Sequence, residues 1–242
     1  MGKMKKALKG SLGTGILAAV AGILLLGGTV GSTRAALTWR SENYTSRVEM
    51  QEIGVSLVEN DADVSGKELL TGLLREGEQL ALNKTYPEAL TVTNSGVIDE
   101  YVRVTVYRYW MNTDAEGNPT TKNTTISPEW IHLNLTGNWI LDESASTDER
   151  LVLYYPKVLA SGETADAITD GISIDSAIAN KMTKSEPDAN GVITTTYDYD
   201  GARFTLEVQV DAVQTHNAAD AIKSAWGVDA TVADDGTLSI VR

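Results

Sequence analysis

The sequence predicts an all-β protein: a jelly-roll-like antiparallel β-sandwich with one or two short helices, preceded by an N-terminal signal helix. Three observations carry that expectation. Apolar residues recur at every second position in many short runs, which is the period of a half-buried strand. Clusters rich in Asn, Asp and Gly separate the runs, as hairpin turns require. A long uncharged stretch follows a basic amino terminus, as in an export signal.

The signal comes first in chain order. Lys3, Lys5, Lys6 and Lys9 precede 24 residues, Gly10 to Thr33, that carry no charge. Ile16 to Leu26 forms its apolar core, and Gly22, Gly27, Gly28 and Gly31 interrupt what would otherwise be a comfortable membrane-spanning helix. Thr33 and Ala35 are small residues two apart and suit the pockets of a signal peptidase, which places the cut between Ala35 and Ala36. A retained anchor is the alternative, because the uncharged run is long enough to span a bilayer. Either way the four lysines hold the amino terminus inside and send the rest of the chain out.

Cleavage there removes five basic residues and no acid, leaving 15 basic and 33 acidic residues and a net charge of −18 over 207 residues. That balance argues against nucleic acid or anionic lipid, since phosphate recognition needs Lys and Arg. The chain has no cysteine. Stability outside the cell must therefore come from a sizeable core rather than from disulfides.

Two strands stand out. Val102, Val104 and Val106 alternate with Tyr101, Arg103, Thr105 and Tyr107; Phe204, Leu206, Val208 and Val210 alternate with Thr205, Glu207, Gln209 and Asp211. Ile53, Val55 and Leu57 predict a third strand, and Leu90 and Val92, ending at Thr93-Asn94-Ser95-Gly96, a fourth. Weaker patterns predict strands at Trp130 to Leu135, Trp139 to Leu141, Leu151 to Tyr155, Gly171 to Ile174, Val192 to Tyr199 and Leu238 to Val241. Alanines between Asn217 and Gly227 predict a helix capped by Asn217. Leu69, Leu70, Leu73 and Leu74 fall at helical spacing and predict a second near Val64 to Arg75, and Asp175 to Met182 is a third, fainter candidate.

Chemistry is hard to find. The only histidines are His132 and His216, and neither belongs to a His-Glu-x-x-His or comparable ligand pattern. No Gly-x-Ser-x-Gly elbow or phosphate-cradling glycine loop is present. Asp61-x-Asp63-x-Ser65-Gly66 and Asn112-x-Asp114-x-Glu116-Gly117 begin like calcium loops, but Gly72 and Asn123 stand where the bidentate Glu is required. Both are expected to be turns. Trp110, Trp130, Trp139 and Trp226 are expected to pack in the core or at its rim, while Trp39 sits just after the cut beside Leu37, Tyr44 and Val48. No catalytic, cofactor-binding or metal-ligating set is expected, and the protein is not expected to be an enzyme.

The residues do carry a resemblance. Gly27-Gly28-Thr29 through Thr33-Arg34-Ala35-Ala36-Leu37-Thr38, the strand Ile53-Gly54-Val55-Ser56-Leu57, and Tyr86 to Gly96 leading into Tyr101-Val102-Arg103-Val104 resemble, in that order, the TasA and camelysin-like family of Gram-positive bacteria. Trp139, Leu153 to Leu159 and Ser161-Gly162-Glu163-Thr164 extend the similarity. Arg34 and the acidic insert from Thr113 to Asn123 depart from it.

The resemblance implies a jelly roll secreted through a dedicated signal peptidase to the cell surface or extracellular matrix. Its subunits would join head to tail into biofilm fibres by donating an N-terminal strand, with a minor subunit as possible anchor. On that reading residues 1–35 are a signal peptide, 36–50 an extension acting as donor strand through Leu37, Trp39, Tyr44 and Val48, and 51–242 the sandwich. The membrane is touched only through an uncleaved signal. A surface adhesin or glycan-binding module is the alternative. The metallopeptidase label of camelysin-like relatives finds no ligand motif here.

Overall fold

The structure, a computed structural model, describes residues 53–75, 78–180 and 199–241, together with the backbone of 38–40, 182–184 and 195–197. The proposed signal, the cleavage residues Ala35 and Ala36, and Leu37, Tyr44 and Val48 lie outside the described residues.

In chain order the strands are β1 (Thr38–Arg40), β2 (Val55–Glu59), β3 (Ala62–Asp63), β4 (Tyr86–Asn94), β5 (Glu100–Thr113), β6 (Pro119–Asn123), β7 (Ile131–Leu135) and β8 (Ile140–Leu141). Then come β9 (Arg150–Tyr154), β10 (Thr169–Ile174), β11 (Met182–Lys184), β12 (Thr195–Tyr197) and β13 (Ala202–Gln214). Helix α1 (Ala218–Trp226), β14 (Asp229–Val232) and β15 (Leu238–Val241) close the chain.

All pairings are antiparallel. One sheet runs β1-β13-β5-β9-β8, with β6 also on β5; the other runs β3-β2-β4-β10-β7. The β11–β12 and β14–β15 pairs stand apart as two-stranded ladders. The two strands most legible in the sequence pair with each other, from Ala202 opposite Asn112 to Gln214 opposite Glu100. Their inward residues, Val102, Val104, Val106, Leu206 and Val210, share one core with Val55, Leu57, Leu90, Val92 and Ile172 of the other sheet. Burying a continuous apolar face on each sheet is what holds the two together.

The outer face of β5 is covered as well. Trp226, at the end of α1, stacks at 5.5 Å on Tyr154 and lies 5.5 Å from the Arg103 guanidinium. The Tyr101 hydroxyl donates to the Gly236 carbonyl at 2.8 Å, tying the β14–β15 hairpin to the same face. Residues of both parities between Tyr101 and Val106 are therefore buried, except half-buried Arg103.

Several local expectations change. Residues 64–75 are turns, not helix: Gly66 and Leu70 take positive φ (71° and 63°), which breaks a right-handed helix at two places. Asn217 precedes α1 in the left-handed region and makes no side-chain capping bond, whereas Gly227 ends it with its N–H on the Lys223 carbonyl. The 175–182 candidate is a single 3₁₀ turn, Ser176–Asn180, followed by β11. The insert from Thr113 to Asn123 is the tip and return strand of the β5–β6 hairpin.

Candidate functional site

The two edges of β13 differ. Along one it pairs with β5 over its whole length; along the other, among the described residues, only β1 joins it, at Asp211 to Val213. Among the described residues no strand pairs the second edge of 202–210, and an edge left so is a row of backbone groups able to bond another strand.

Beside that edge lies a groove of about 740 Å³. Phe204, Leu206 and Val208 from the inward face of β13 form one wall, and Val64, Leu69 and Leu70 from the 64–75 segment form much of the other. Arg203 on the strand meets Glu68 on the segment at 2.5 Å, across the groove. A strand edge flanked by apolar side chains offers both things an incoming extended segment needs: hydrogen-bond partners and pockets for alternate side chains.

Of the expected assembly residues only the backbone of Trp39 is described: it lies in β1, opposite Ala212 of its own chain.

The acidic loops are committed to their own turns. The Asp114 carboxylate accepts from the Glu116 and Asn118 backbone N–H groups, which lowers its pKa, and Asp63 accepts from the Ser65 N–H in the same manner. Among the described residues no three His, Asp or Glu side chains converge as a metal-ligand set. His132 is exposed on β7 with Nε2 3.3 Å from the Asp175 carboxylate, and His216 is exposed after β13.

Sequence reading missed the buried acids. Glu59, Glu88 and Glu100 sit on inward strand faces, 7 %, 1 % and 0 % exposed. Burial pushes Glu100 up to about 8, opposed only in part by the approach of the Gly54 N–H, and neither oxygen completes a hydrogen bond. Glu88 is pushed up to about 7, first by burial and then by the Glu59 carboxylate within hydrogen-bond range. The signal was present in the alternation: Glu59 continues the inward series of Val55 and Leu57, and Glu88 that of Tyr86, Leu90 and Val92.

No protein-family model, curated protein or solved structure matches the chain. Among the described residues no helix is long and apolar enough to cross a membrane.

Proposed function

We propose that this chain is an exported structural subunit of an extracellular fibre, in which each subunit's N-terminal extension joins the open β13 edge of the next. The observation that carries the reading is the apolar groove alongside residues 202–210. A jelly-roll-like description of the fold accompanies it, since the chain passes repeatedly between its two sheets, from β4 to β5, β9 to β10 and β10 to β13.

Among the described residues β1 pairs with its own β13 over three residues. Exchange for a neighbour's extension preserves those contacts and gains whatever the longer edge can add. Head-to-tail donation of this kind does not close on itself and grows a filament. Burying Leu37 and Trp39 contributes about 3–6 kcal/mol at about 1.5–3 each, against an association cost of about 4–15. Backbone hydrogen bonds along the edge must supply the difference, so growth is nucleated and depends on concentration.

The test is the double substitution Leu37→Asp with Trp39→Asp. Its purified product is expected to stay a folded monomer, and negative-stain microscopy showing filaments in normal yield would remove the reading.

A second reading has its own support. Tyr107, Tyr109 and Met111 line a shallow depression of about 510 Å³ on the outer sheet face, with Lys122, Glu207 and Gln209 around it. Aromatic rings ringed by polar groups suit a sugar, and a chain that bound glycans yet never formed filaments would be a surface-binding module instead.

A further inference from the structure

The 64–75 segment covers the flank of the core where the proposed strand would enter, and its fastening is unusual. Leu69, Leu70, Leu73 and Leu74 pack partly buried against the core. The Leu70 N–H donates to Glu59 Oε1 at 2.6 Å, in a left-handed backbone conformation (φ 63°) that disfavours an L-residue with a side chain. Release of that bond frees both the strained turn and the leucines over the groove.

Glu59 does not act alone. Glu88 Oε2 accepts from Asn60 Nδ2 at 3.2 Å, while Glu88 Oε1 has no donor; the Glu59 carboxylate lies within hydrogen-bond range of the Glu88 side chain. Two buried carboxylates at such range cannot both hold a charge. A single proton on Glu88 resolves the clash and turns the orphan oxygen into a donor to Glu59, whose other oxygen stays free to hold Leu70.

We propose that residues 66–75 form a removable plug that walls off the groove, held shut while the buried Glu88 carboxyl donates to Glu59 and Glu59 holds the Leu70 N–H, and released when the Glu88–Glu59 hydrogen bond is lost. This rests on the fibre reading for its purpose, since the groove it closes is the proposed entry site.

The surroundings leave the carboxyl pair in control. The elements packed beside β2 and β4 carry Asp61, Asp63, Lys67 and Glu68 on the turn, Arg203 and Glu207 on β13, and Asp170 on β10. Lys67 donates to the Asp63 carbonyl, Glu68 meets Arg203, and Asp170 meets Asn134. Among the described residues neither Glu59 nor Glu88 forms an ion pair with Lys, Arg or His, and only Glu59 and Asn60 act on Glu88 beyond burial itself. The Arg203–Glu68 pair is a second fastener, but both groups are well exposed and such pairs contribute little.

The sign follows from linkage. In the closed plug Glu88 holds its proton up to about 7, and in the opened plug it returns to an ordinary carboxylate value. The closed form binds the proton more tightly, so its advantage is complete in acid and disappears as the pH rises through about 7.

Hydrogen exchange at the Leu70 amide reads the plug directly, on the full chain kept dilute enough to be monomeric. With the intrinsic pH dependence divided out, protection is expected to fall at least about tenfold between about pH 5 and about pH 8. Glu88→Gln supplies a permanent donor to Glu59, and Glu59→Gln a permanent donor to Glu88 that still accepts from Leu70; either substitution should flatten the profile. Flat protection in the parent, or an equal fall in both variants, overturns the plug whatever the filaments do. Filament lag times over the same range should shorten as protection falls. If Leu70 responds as expected and filaments form under no condition, the latch stands and the fibre reading fails.

Discussion

The two halves of β13 belong to one strand and one alternation pattern, yet they live in different environments. From Val210 to Val213 all four residues are buried; β1 and β5 occupy both edges from Asp211 to Val213, and Trp226 packs on Arg103 beneath α1. From Ala202 to Gln209 only Leu206 is buried, and one edge is open among the described residues. On the proposed reading, stability resides in the sealed half and the capacity to bind a strand in the open one. The difference is set by what covers the strand rather than by its own sequence.

Breaking the sealed half should have the largest effect. The Arg103 guanidinium donates to Asp211 through Nε at 3.1 Å and Nη2 at 2.6 Å, and Asp211 is 2 % exposed. Arg103→Ala takes two hydrogen bonds and the countercharge from that buried carboxylate and also removes the cation from the Trp226 face. Loss of about 3–5 kcal/mol is expected, read from the midpoint of urea denaturation. A loss below about 1 kcal/mol would mean that this end of the strand is more hydrated than its burial implies.

Next comes Glu100, opposite Gln214 at the same end. Its folded pKa of about 8 lies above the ordinary carboxylate value, so the native state holds a proton that the unfolded chain releases. The stabilisation is full in acid below the unfolded value and drains away as pH rises through about 8, with a magnitude on the order of 3 kcal/mol. Glu88 drains in the same direction through about 7. Unfolding free energy should therefore fall from pH 5 to 8 in the parent, and less in Glu100→Gln; identical slopes would show that Glu100 finds a partner when ionised.

A matched pair of changes compares the halves most directly. Val208 and Val210 are two apart on one face of one strand, half-buried and 1 % exposed respectively. Val→Thr keeps the shape and adds a hydroxyl. At Val210 that hydroxyl loses water and gains no evident partner, which costs about 1–3 kcal/mol; at Val208 it can stay hydrated, so the cost is under about 0.5 kcal/mol. Equal losses would show that the groove is closed to water.

Much of this was legible in the sequence, and the misses have physical causes. Alternation identified residues 102–106 and 204–210 because each strand truly has an apolar inward face. It also set Tyr101 on the face opposite the core, although it is buried, because the Gly236 carbonyl that its hydroxyl reaches lies more than a hundred residues away along the chain. Leu69, Leu70, Leu73 and Leu74 fit a helix and two successive turns equally well, and the positive φ at Leu70 decided for turns. The groove could not be read at all, since its walls combine residues 64–74 with 203–208. Glu59 and Glu88 could have been found, because each interrupts an inward apolar series with a charge.

The smallest expected effect tests whether charge or shape limits the open half. The chain beyond Ala35 carries a net charge of −18; the proposed filament would bring such subunits into contact, so self-repulsion would oppose each addition. Added salt shortens the Debye length from about 10 Å at 0.1 M to about 3 Å at 1 M, which weakens that repulsion while leaving apolar burial intact. It also weakens the exposed Arg203–Glu68 pair across the groove. Both changes act in one direction, and filament growth should quicken severalfold. Slower growth in salt would mean that attractive pairs between subunits outweigh the net repulsion, and would relocate the controlling charges from the chain as a whole to the contact itself.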